Sequence, residues 1–120
     1  MTLESLREYC LAKKGVTESL PFDENTLVFK VMDKMFALTD FVSQPMSFNV
    51  KCDPERAVEL REQYPCVQPG YHMNKKHWNT VVADGSVPDR QLQQWIDDSY
   101  GLVVKSLSKA QRAALTALAG

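Results

Sequence analysis

The run Met46-Ser47-Phe48-Asn49-Val50-Lys51-Cys52 leaves this chain the least freedom. Apolar and polar residues alternate, so Met46, Phe48, Val50 and Cys52 share one face of a strand, while Ser47, Asn49 and Lys51 share the other. A strand with one apolar face belongs in a sheet packed on one side, which is the habit of antiparallel sheets. Asp53-Pro54-Glu55 follows at once, placing a cap, a first-turn proline and an acid at a helix start. The strand therefore runs directly into a helix. That helix carries Ala57, Val58, Arg61 and Tyr64 and stops before Pro65.

The other segments supply partners for this strand. Residues 2 to 14 read as a helix capped by Thr2, with Leu3, Leu6 and Cys10 on one face and Gly15 ending it in the left-handed region. Val16 to Asn25 reads as a linker, with Phe22 plugging the edge of the core. Leu27, Phe29 and Val31, then Phe36 and Leu38, alternate as the two arms of a hairpin turning near Asp33-Lys34. That turn lacks the glycine a tight type I′ loop prefers. Beyond Asp84-Gly85-Ser86, Pro88 and Asp89 open a long helix with Leu92, Trp95, Ile96, Ser99, Leu102, Val103 and Leu107 in one stripe. Gly101 inside it costs roughly 1 kcal/mol against alanine, which points to a close contact or a bend. Ser108 and Gln111 make a capping box for a terminal helix through Leu118. The expected fold class is α+β, a two-layer sandwich with an antiparallel sheet and helices on one face. It forms a single domain over residues 1–120. Its core should hold Leu3, Leu6, Phe36, Leu38, Phe48, Val50, Leu92, Trp95, Ile96 and Val103.

Function is most legible in Pro69-Gly70-Tyr71-His72-Met73-Asn74-Lys75-Lys76-His77-Trp78-Asn79-Thr80. Pro69 fixes φ and Gly70 tolerates positive φ, so the stretch opens on a turn and runs into a β-prone segment, Thr80 to Ala83. It holds both histidines, and no acid occurs between Glu62 and Asp84, although the net charge is −1. That balance excludes nucleic-acid binding through overall charge and leaves a local patch. No apolar run approaches the ~20 residues needed to cross a bilayer. Three cysteines, an odd number, and no secretory leader pattern point to a reducing cytosol. Cys52, Cys66, His72 and His77 lack the tight Cys pair of a structural zinc site, so no metal is expected. The glycines stand singly and no nucleophile is set beside a base, so neither an enzyme nor a cofactor is expected. The residue types suit nucleic acid instead: Lys51, Lys75 and Lys76 for phosphates, with His72, Asn74 and His77 as donors beside them. Tyr71 or Trp78 offers a stacking surface. Against this, Trp78 at a strand entrance reads as core, and the histidines as hydrogen-bonding braces. In that alternative the chain is a protein-interaction or small-ligand module whose motif is chiefly structural.

Several of these marks together resemble the MmcQ/YjbR family of small bacterial proteins, across nearly the whole chain. They are Pro21-Phe22, Phe36-Ala37-Leu38, Lys51-Cys52-Asp53-Pro54-Glu55, the stretch from Pro69 through Val81, and Ser99-Tyr100 followed by Leu102-Val103. The His-x-Asn-Lys-x-His-Trp run with its late Ser-Tyr is the specific part. The resemblance implies a YjbR-like domain, an antiparallel sheet with helices stacked against it. It also implies DNA binding, through β-hairpins acting as wings, and brings no catalytic residue with it. One departure is the turn at Asp33-Lys34, which has no glycine and is partly acidic. The expected contact residues are thus Lys51, His72, Asn74, Lys75, Lys76 and His77, with DNA as partner, no membrane, and no protein partner assigned.

Overall fold

Six strands and four helices make up the computed structural model, which describes residues 1–42, 44–70 and 73–118. In chain order they are α1 (Leu3–Leu11), β1 (Val16–Ser19), β2 (Thr26–Val31), β3 (Lys34–Asp40), β4 (Ser47–Lys51), α2 (Pro54–Gln63), β5 (Val67–Pro69), β6 (Trp78–Val82), α3 (Asp89–Ser106) and α4 (Lys109–Ala117). Every strand pairing is antiparallel, in the order β1-β2-β3-β4-β6-β5. All four helices pack on one face. Leu6 of α1, Leu60 of α2, Ile96 of α3 and Leu115 of α4 meet Phe29, Phe48 and Val81 of the sheet in one core. This is the two-layer α+β sandwich that the alternation in β4 requires. Phe48 and Val50 lie under the helices, as expected.

Leu38 departs from the simple alternation. Phe29 pairs with Ala37 and Lys30 with Met35, so Phe36 is an extra residue in β3. Its ring turns toward the helices and meets Tyr100 edge-on at 5.3 Å. One extra residue inverts which face every later side chain takes. Leu38 therefore lies on the opposite face from Phe36, in a second apolar cluster with Val28 and Trp78. A serine in the apolar stripe of α3 holds this disruption. Ser99 Oγ accepts from the Lys51 amide at 2.8 Å and donates to the Phe36 carbonyl at 2.5 Å. The side chain thus bridges β3 and β4 where the ladder is interrupted.

Val16–Ser19 is an edge strand rather than a linker, paired with β2 through Glu18 opposite Phe29. Glu18 faces α1, where Arg7 Nε donates to its Oε2 at 2.9 Å and Nη2 to its Oε1. Phe22 does not plug the core; it is 66% exposed. Leu3 packs only at the margin of the core. α1 ends three residues before the expected Lys14, because both lysines find partners elsewhere. Lys13 pairs with Asp97 of α3 and lies over the rings of Tyr9 and Tyr100, while Lys14 Nζ donates to the Thr116 carbonyl at 2.9 Å. The β2–β3 turn is centred on Met32-Asp33, both at positive φ (49° and 67°), with Val31 opposite Lys34. It has the two left-handed residues of a type I′ turn, made without glycine. The close contact expected at Gly101 is absent, since a Cβ there would meet nothing within 4 Å.

Two outcomes follow from these placements. Gly101→Ala should stabilise the protein by roughly 1 kcal/mol, the ordinary helix preference, read as a higher urea midpoint at unchanged slope. A lower midpoint would mean that the helix needs the glycine. The Glu18 carboxyl is held below its ordinary value of 4.5, chiefly by its hydrogen bond from Arg7. A lowered folded value contributes stability above the unfolded value and loses it as pH falls through the folded one. Arg7→Ala should therefore melt lower than wild type at neutral pH and match it in strong acid. A gap that persists in acid would assign the loss to packing of the arginine stem.

Candidate nucleic-acid interface

The connection from β5 to β6 carries most of the residues singled out above, and its ends are fixed by the sheet. The Gly70 amide donates to the Trp78 carbonyl at 2.8 Å. A Cβ at Gly70 would stand 2.8 Å from both Trp78 Cβ and Trp78 O. Its φ is not positive, unlike those of Gly15 and Gly85. The glycine is required by this close backbone approach, not by a left-handed conformation.

Asn74 frames the turn that follows. Its Oδ1 accepts from the Lys76 amide at 2.9 Å, and its carbonyl accepts from His77 and Trp78 at 3.2 and 3.0 Å. Asparagine suits this, because its side chain mimics a backbone acceptor two residues on. Lys75 and Lys76 are exposed at the tip, and His77 is half-buried behind them. The His77 carbonyl accepts from the Cys52 amide at 2.7 Å, and Lys51 stands opposite Trp78 in the β4–β6 register. Lys51, Asn74, Lys75, Lys76 and His77 thus share one corner of the sheet. His72 lies outside the described residues, as does Tyr71.

The residue that organises this corner was not among those expected. Arg61, on α2, directs Nε to Asn79 Oδ1 at 2.7 Å and Nη2 to the carbonyls of Lys75 and Trp78. Asn79 is 1% exposed and donates onward to the Ala57 carbonyl at 3.3 Å. The signal was present but faint: Arg61 stands one turn beyond Ala57 and next to Leu60, the two buried residues of α2. A cation so near a helix's apolar face needs acceptors, and these are two backbone carbonyls and a buried amide. Trp78 is buried, as its place at a strand entrance implied, but beneath the face opposite the helices, with Met35 and Met73 beside it.

Among the described residues, Lys51, Lys75 and Lys76 take part in no ion pair. Burial pushes the Cys52 thiol above its ordinary value, and Cys66 is buried. No three of His, Cys, Asp or Glu converge among the described residues. The β2–β3 turn does not project as a wing would. Lys34 Nζ donates to the Ser106 carbonyl at 3.3 Å, and Met32 packs against the core. The exposed basic tip is therefore the one between β5 and β6.

Comparison with known proteins agrees with this architecture. The family model described as YjbR matches residues 11–102. The uncharacterized protein YjbR of Escherichia coli is 39% identical over 118 residues, covering 98% of this chain and all of that protein. The uncharacterized protein YyaQ of Bacillus subtilis is 37% identical over 54 residues, 45% of each chain. A crystal structure from Deinococcus radiodurans, of a DUF419 domain, superposes with a TM-score of 0.90 at 45% identity, covering 96% of this chain and 88% of that one. A Pseudomonas syringae protein gives 0.74 at 27% identity, covering 85% of this chain and 98% of that one.

The clamp makes its own prediction. Arg61→Ala leaves buried acceptors without their charged donor, so it should cost about 2–3 kcal/mol, in the range of hydrogen bonds to charged groups. Amide exchange at Lys76, His77 and Trp78 should accelerate with it. A loss under about 0.5 kcal/mol, ordinary for surface substitutions, would contradict the assignment.

Proposed function

The chain belongs to the YjbR family, and from that premise we propose that it binds DNA through the basic tip between β5 and β6. One observation carries this reading. Lys75 and Lys76 are exposed and free of ion pairs at a turn whose backbone carbonyls are held from beneath by Arg61. A tip already ordered loses little freedom on binding, so the two ammonium groups act against phosphates at low cost. Neutralising phosphates releases counterions, which supplies the affinity despite an overall charge of −1. Lys51 and His77 extend the same corner, and Asn74 contributes by shaping the turn. His72 belongs to the proposed contact set on sequence grounds alone.

The proposed activity is binding without a catalytic step or cofactor, in the cytoplasm. Three free thiols, Cys10, Cys52 and Cys66, suit a reducing compartment. No helix among the described residues is long and apolar enough to cross a membrane.

Titration of labelled duplex and single-stranded DNA at two salt concentrations tests the reading. Affinity should fall steeply with salt. Lys75→Ala/Lys76→Ala should bind more weakly and with a log–log salt slope shallower by about 2, since each phosphate contact contributes about 0.9. Absence of binding at low salt, or equal binding by the double variant, would overturn the proposal.

A further inference from the structure

The face of the sheet opposite the helices is only partly covered, and a cleft of about 710 Å³ runs across it. Its floor is the register row Leu38, Asn49 and Thr80, contributed by β3, β4 and β6. One wall is the segment between β1 and β2, with Phe22 standing 66% exposed at its rim; Met73 lines the cleft from the β5–β6 connection. The volume lies within the range of small-molecule sites, which combine apolar lining with a few placed polar groups.

Two features define what such a site would accept. Asn49 is 8% exposed at the centre of the sheet, and its Oδ1 accepts from Thr80 Oγ1 at 2.5 Å. Its Nδ2 has no partner among the described residues, although it lines the cleft. A donor this deeply placed is disfavoured unless something accepts its protons. The second feature is charge. Among the described residues the charged side chains on the lining are Asp23 and Asp40, and no lysine, arginine or histidine joins them. The Asn25 amide holds the Asp23 carboxyl below its ordinary value, so it stays ionised at neutral pH. Two carboxylates reject an anion and attract a cation. The acceptor that meets Asn49 is therefore neutral, and Phe22, Leu38 and Met73 favour an apolar substituent.

We propose that this cleft is a small-molecule site for an organic amine that bears a neutral carbonyl and an apolar group, an amino amide being the simplest member of the class. The ammonium lies toward Asp23 and Asp40, and the carbonyl accepts from Asn49 Nδ2. The site is separate from the lysine tip and does not depend on DNA binding. Amide NMR titration of the full chain with phenylalaninamide tests it, against neutral N-acetylphenylalaninamide and anionic 3-phenylpropionate. Phenylalaninamide should shift the Asn49 side-chain amide and the Leu38 and Thr80 backbone saturably, and the other two should bind at least about tenfold more weakly. Asp23→Asn/Asp40→Asn keeps a side-chain oxygen for the hydrogen bonds to Asn25 and Val42. It should fold normally and lose about tenfold in affinity for phenylalaninamide. Equal binding of the neutral compound, equal binding by the double variant, or no saturable shift at millimolar phenylalaninamide would each overturn the proposal.

Discussion

A sheet with helices on only one face leaves the other to whatever its connections can cover. In this protein that face is not polar throughout: Val28, Leu38 and Trp78 are at most 8% exposed there. Keeping them from water requires the β5–β6 connection, which brings Met73 against the cluster, to stay where it is. Gly70 lets the connection leave β5 in direct backbone contact with Trp78, and Arg61 holds its return from the helix side. The guanidinium takes three acceptors that water would otherwise have to satisfy. The outward position of Lys75 and Lys76 follows from this, because the carbonyls of Lys75 and Trp78 are bound inward.

The histidine- and lysine-rich segment therefore divides by residue rather than serving one purpose. Asn74, Asn79 and Trp78 build the fold, through a turn, a buried amide and an apolar cluster. Lys75 and Lys76 contribute nothing to that framework and point to solvent. The same face is also electrically uneven. Lysines mark the corner where β4 meets the turn, whereas the cleft beyond the apolar cluster carries acids.

Legibility in the sequence followed the range of the forces involved. The stripe of α3, the start of α2 and the face of β4 could be read because periodicity and capping are local. The turn residues of the candidate site were legible for the same reason, since Asn74 acts within two positions of itself. β1 could not be read: four mostly polar residues become a strand only when β2 lies beside them. The bulge at Phe36 was invisible, because Phe36 and Leu38 look like neighbours on one face until the register to β2 is known. Arg61 shares no local pattern with Asn79, 18 positions away, and the hydrogen bond between them decides which part of the motif is structural.

The central claim is that Arg61 and Asn79 act as one unit beneath the basic turn, and a double-mutant cycle measures it. Equilibrium unfolding of wild type, Arg61→Ala, Asn79→Ala and the double variant gives the coupling between the two sites. The account predicts an interaction of about 1–3 kcal/mol, the range for residues sharing one hydrogen-bond network. Losses that add to within about 0.5 kcal/mol, as they do for independent sites, would contradict it.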